Sequence, residues 1–117
     1  MDERTLIVDV KPLRGALERI KADIARGGAQ HPRVSFATPV LLFRTLTEKR
    51  LGVLEAMQGA GPMALRELAR RLERDVKGVH SDVHALLDAG LLVKQADGRI
   101  ECPYERIRLD VELARAA

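Results

Sequence analysis

The chain has 117 residues, enough for one domain with a single modest core. It is 46% hydrophobic and 32% charged but only 3% aromatic, so the core is aliphatic and no aromatic platform exists for stacking single-stranded bases. A net charge of +3 permits a polyanionic partner, and the single cysteine, Cys102, excludes an internal disulfide or a zinc knuckle.

Thr5 to Val8 are short and β-prone and predict a terminal strand. Asp9 is then placed to cap a helix with Pro12 in its first turn, and Leu13, Ala16, Leu17, Ile20 and Ile24 form its apolar stripe. Gly27-Gly28 ends that helix. Residues 30–37 form a connector with a short strand at Val34 to Phe36. Thr38-Pro39 starts the next helix, and the wholly apolar run Val40 to Phe43 is expected to be buried. Thr47 caps a further helix with the stripe Leu51, Leu54, Met57, closed by Gly59-Ala60-Gly61-Pro62.

Met63 to Leu72 continues as a helix with Leu65, Leu68, Ala69 and Leu72 on one face. After Glu73-Arg74-Asp75, with Asp75 as cap, a helix over 76–89 carries Val76, Val79, Val83, Leu86 and Leu87 on its inner side. Gly90 is its left-handed stop. Leu91 to Val93 and Arg99 to Cys102 read as two strands joined by Ala96-Asp97-Gly98, a strong hairpin signal. Ile107, Leu109, Val111 and Leu113 alternate with Arg106, Arg108, Asp110 and Glu112, which is the period-two pattern of a half-buried strand.

Helix, short turn, helix, hairpin is the order of a winged helix-turn-helix. Glu67-Leu68-Ala69, Val79, Val83, Leu86 or Leu87, and Gly90-Leu91 make this run resemble the reading head of MarR-like and ArsR-like regulators. From Phe36 to Leu113 the chain is also similar to predicted regulators encoded beside a toxin, through LTEKRLGVLEAM, the Glu-Leu-Ala helix and Pro103-Tyr104-Glu105 with Ile107. Those resemblances imply an α+β winged helix-turn-helix with an N-terminal strand and helix and a C-terminal strand. They also imply DNA binding, autorepression and an antitoxin role. One departure is Ala64, where a capping Ser or Thr is expected.

The expected organisation is an N-terminal extension over 1–45 serving dimerisation, a DNA-binding unit over 46–104 and a C-terminal strand over 105–117. Helical geometry turns Lys77, Gly78, Ser81, His84, Ala85 and Asp88 outward. Of these, Lys77, Gly78, Ser81 and His84 lie where a recognition helix meets base edges in a major groove. Arg70, Arg71 and Arg74 are expected on phosphates, as are Lys94 and Arg99 beside the hairpin tip, with the 94–99 wing on flanking backbone. His80 is expected nearer the core flank. His80 and His84 stand four apart, a metal-compatible spacing whose third ligand would have to come from Asp82, which points elsewhere on the helix, or from another chain; no metal or cofactor is expected.

No phosphate loop or catalytic trio is evident, so the expectation is a non-enzyme. The expected partners are double-stranded DNA, a second copy and a toxin; no membrane partner is expected. The acidic, quickly amphipathic N-terminus is unlike a signal peptide, which with the lone cysteine points to the cytoplasm. A protein-interaction module whose main partner is a toxin or another protein is the alternative reading.

Overall fold

A computed structural model describes residues 4–12, 17, 18, 21, 22, 25 and 31–114. The fold is α+β. In chain order its described elements are β1 (Thr5–Val10), β2 (Arg33–Phe36), α1 (Pro39–Thr45), α2 (Glu48–Met57), α3 (Leu65–Leu72), α4 (Val76–Ala89), β3 (Val93–Lys94), β4 (Ile100–Glu101) and β5 (Arg106–Asp110). None of the described helices is long and apolar enough to cross a membrane.

Strand β1 is central in a three-stranded sheet of order β2-β1-β5, and both pairings are parallel. Because side chains alternate along a strand, the register sorts the sheet into two faces. Leu6, Val8, Val10, Val34, Phe36, Ile107 and Leu109 share one face. Leu6 and Val8 there join Leu42, Val53, Met57, Leu68, Val79, Val83 and Leu86 in a single core. The other face carries Asp9, Arg33, Ser35, Arg106, Arg108 and Asp110.

Asp9 is not a helix cap. It lies inside β1 and is 5% exposed, with its carboxylate accepting from Arg33 Nη1 at 2.7 Å and Ser35 Oγ at 2.6 Å. Pairing with β2 supplies those donors, so the strand runs two residues beyond the Val8 end expected from composition. Of the stripe expected over 13–24, only Leu17 falls among the described residues, where it is helical and exposed; Leu13, Ala16, Ile20, Ile24 and the Gly27-Gly28 stop lie outside them.

Thr38 and Thr47 cap as their hydroxyls suggest, accepting from the Leu41 and Arg50 amides. Helix α1 packs on β2 and α4. Its apolar run is not buried as expected: Leu42 is inside, whereas Val40, Leu41 and Phe43 are 58%, 43% and 57% exposed. This short helix packs on the domain along one narrow stripe, which takes Leu42 and the C-capping Leu46 and leaves the rest of the apolar run facing water.

Helices α2, α3 and α4 pack against one another. Met63 does not begin α3 but bridges to Ile100, exchanging amide-to-carbonyl bonds of 2.8 and 2.9 Å. This anchors the hairpin of β3 and β4, whose strands are shorter than expected because Leu91, Leu92 and Cys102 are buried in the core instead of extending the ladder. Gly90 takes φ 87°, which the C-terminal stop of α4 requires.

Candidate nucleic-acid interface

Helices α3 and α4 are joined by Glu73, Arg74 and Asp75 alone. Glu73 adopts left-handed φ 53°, ψ 45°, turning the chain sharply, and its amide and the Arg74 amide satisfy the last carbonyls of α3 at Arg70 and Ala69. Asp75 stands at the N-cap, just before α4, but makes no capping hydrogen bond. Its carboxylate is nonetheless beside the positive end of the helix dipole.

An ion-pair cluster holds this turn in place. Arg50 Nε of α2 donates to Asp82 Oδ1 at 3.0 Å, and Arg74 Nη2 lies 2.8 Å from Asp82 Oδ2. Arg50 Nη1 also donates to the Arg44 and Thr45 carbonyls at the end of α1. Thus α1, α2, the turn and α4 are tied through one carboxylate that is 13% exposed. Burial pushes the Asp82 carboxyl up, but the hydrogen bonds and charges of Arg74 and Arg50 outweigh it and hold it below its usual range.

The exposed face of α4 then follows from which residues the core takes. Val79, Val83 and Leu86 are buried, so Lys77, Ser81, His84 and Asp88 are exposed, with Gly78 and Ala85 half-buried. Val76, expected inside, is 41% exposed because it lies in the first turn, beyond the reach of α3. His80, expected on the core flank, is also exposed, and its ring centre lies 4.1 Å from that of His84. Among the described residues no group of three or more His, Cys, Asp or Glu side chains is arranged to hold a metal ion.

The basic residues divide. Arg70 and Arg71 are exposed on α3, paired with Glu67 of the same helix at 3.0 and 3.5 Å. Pairs so exposed are worth little and give way readily to another anion. Arg74 differs: its guanidinium turns inward to Asp82 and passes over Gly78, where an added Cβ would meet Nη2 at 3.3 Å. On the hairpin, Lys94 is exposed on β3. Arg99 is pinned by Asp97, which accepts from the Arg99 amide at 3.0 Å and from its Nε at 2.8 Å. These bonds from the Arg99 amide and guanidinium keep the Asp97 carboxyl below its ordinary value.

Residues 45–109, more than half of the chain, match the family described as HVO_A0114. The chain belongs to that family. The matched segment runs from the end of α1 to the next-to-last residue of β5, so it contains the α2–α4 cluster, the Arg50–Asp82–Arg74 tie and the hairpin. No curated protein and no solved structure matches the chain.

Arg50 and its tie to Asp82 escaped the sequence reading. The two are 32 residues apart, and neither periodicity nor spacing links them.

Proposed function

We propose that the chain is a sequence-specific double-stranded DNA-binding regulator, working as a dimeric autorepressor. In this reading α2, α3, α4 and the hairpin form a winged helix-turn-helix. The observation that carries it is the outward face of α4, with Lys77, Ser81 and His84 exposed behind a three-residue turn that an internal ion pair locks. A helix so held fits a major groove about 12 Å wide, and its N-terminal half meets the base edges.

In that pose Lys77, Ser81 and His84 read bases while Gly78 permits close approach. Arg70 and Arg71 leave Glu67 for phosphates, which position the protein without carrying sequence information. Arg74 acts indirectly, by holding the turn. The Asp97 carboxylate orients Arg99 at the hairpin tip toward a minor groove, and Lys94 lies on the flanking backbone. A second copy doubles the contacts on a palindromic operator with half-sites about 34 Å apart.

The test is fluorescence anisotropy on the protein's own upstream DNA. Lys77→Ala, Ser81→Ala or His84→Ala should each lower affinity for the specific site by roughly 5- to 100-fold while sparing random DNA. Arg70→Ala or Arg71→Ala should weaken all sequences alike and flatten the salt dependence. Unchanged sequence preference in all three α4 variants sinks this assignment.

A second reading, a protein-interaction module whose main partner is a toxin or other protein, is favoured by the exposed Val40, Leu41 and Phe43 of α1. Clustered exposed apolar side chains of this size mark protein contacts more often than nucleic-acid contacts. Absence of salt-dependent DNA binding together with a stable complex with a neighbouring gene's product would favour it over the first.

A further inference from the structure

Strand β5 ends the three-stranded sheet, and no described strand pairs with its outer edge. The Arg106 amide donates to the Arg4 carbonyl at 3.1 Å, on the β1 side. Backbone polar groups alternate in direction along a strand, so Ile107 and Leu109 of β5 turn their amides and carbonyls to the open edge, and continuing the strand one residue past Asp110 would do the same for Val111. Such an edge is a template for another strand unless charge or a bulge blocks it.

Here the charges favour one particular strand. From 106 to 112 the sequence is Arg-Ile-Arg-Leu-Asp-Val-Glu, with cations before Leu109 and anions after it. An antiparallel copy placed with a two-fold axis through Leu109 sets Arg108 opposite the partner's Asp110 and Arg106 opposite the partner's Glu112. Ile107 then faces the partner's Val111, and Leu109 faces the partner's Leu109. Residues with outward backbone groups meet one another, as an antiparallel ladder requires. Sliding by two residues in one direction sets Arg108 against itself, and in the other Asp110 against itself; like charges directly opposite destabilise a sheet.

Apolar surface points the same way. Leu109 is 42% exposed and Leu113 81% exposed. Beside Leu109 and Ile107 lies a groove of about 160 Å³ walled by Leu46, Leu51 and Leu54, over which the incoming strand would lie.

We infer that the chain forms a symmetric dimer through β5, joining two three-stranded sheets into one six-stranded sheet in the register centred on Leu109. This specifies the two-copy part of the proposed function and does not depend on DNA binding. An isologous contact of this kind needs a self-complementary surface, and the charge order of β5 is self-complementary.

The test is molecular mass by light scattering or sedimentation equilibrium, so its failure is distinct from a failure to bind DNA. Wild type should be a dimer. Arg108→Asp sets two carboxylates face to face, and Asp110→Arg sets two guanidiniums face to face. Each loses about fivefold per reversed pair, and symmetry applies this twice, so dimerisation should weaken on the order of 25-fold. Mixing the two single variants restores both complementary pairs and should return a heterodimer, and the double variant R108D/D110R should dimerise by itself.

Leu109→Cys provides a readout independent of those charges, because it should cross-link to its copy under mild oxidation while Leu113→Cys does not. A monomeric wild type, single variants that remain dimeric, or folded variants that fail to complement each other would overturn the inference.

Discussion

Replacing Asp82 by Asn keeps the shape of the side chain and removes the charge that ties α2, the turn and α4 together. The carboxylate is 13% exposed, and the Arg50 and Arg74 side chains are 22% and 23% exposed, so solvent screens this cluster only in part. The Arg50 hydrogen bond and the Arg74 ion pair, each joining charged groups at this depth, contribute about 1.5 kcal/mol net apiece. Two such contacts give about 3 kcal/mol, of which the Asn carbonyl recovers about 1 by still accepting one bond. The expected loss is therefore about 2 kcal/mol, or a Tm lower by roughly 8 °C at this chain length.

The pH dependence has a definite sign. Its two arginine partners hold the Asp82 carboxyl below the ordinary aspartate range in the folded protein, so its stabilisation is complete above that ordinary range and is lost as pH falls through the folded-state pKa. Urea unfolding followed by far-UV circular dichroism should show a full gap between wild type and Asp82→Asn at neutral pH. That gap should close as pH falls below the ordinary aspartate range. A variant as stable as wild type at neutral pH, or a gap that persists unchanged in acid, would refute the claim that this carboxylate locks the turn.

Ala64 stands at the N-cap of α3 with extended φ −75° and ψ 150° and offers no capping side chain, while Glu67 follows at the third helical position. Ala64→Ser should complete a capping box and raise stability by about 1 kcal/mol, read as a higher urea midpoint; no gain would mean the α3 amides are already satisfied by water. Glu73 has left-handed φ 53°, so Glu73→Gly should relieve strain and stabilise by about 0.5–1 kcal/mol despite the entropy of glycine. A destabilised glycine variant in thermal unfolding would contradict this. Cys102 is 3% exposed, and burial pushes its thiol above the ordinary value. It should therefore react with an aromatic disulfide reagent only in step with unfolding, and rapid modification of the native protein would show that the hairpin opens locally.

Local sequence determined the elements whose signals reside in neighbouring residues. Thr38 and Thr47 begin helices because a hydroxyl meets the amide three residues on, a contact that needs no tertiary partner. Gly90 stops α4 because a left-handed residue is needed there, and the alternation from Arg106 to Asp110 is a strand because its apolar members fall on one side, whereas Val111 and Leu113, expected to continue it, lie beyond β5. The outward face of α4 was legible for the same reason, once Val79, Val83 and Leu86 were assigned inward.

The tertiary structure decided everything that depends on which surface meets which. Asp9 looked like a cap because caps and buried carboxylates use the same residue, and only β2 with Arg33 and Ser35 makes the strand affordable. Val40 to Phe43 looked buried because apolarity records a preference for leaving water, not the number of neighbours available to cover it. The Arg50–Asp82 tie and the parallel pairing of β1 with β5 join residues distant along the chain. Such contacts leave no periodic trace in sequence, since each forms only after the packing of α2 on α4, or of the sheet on the core, has brought its partners together.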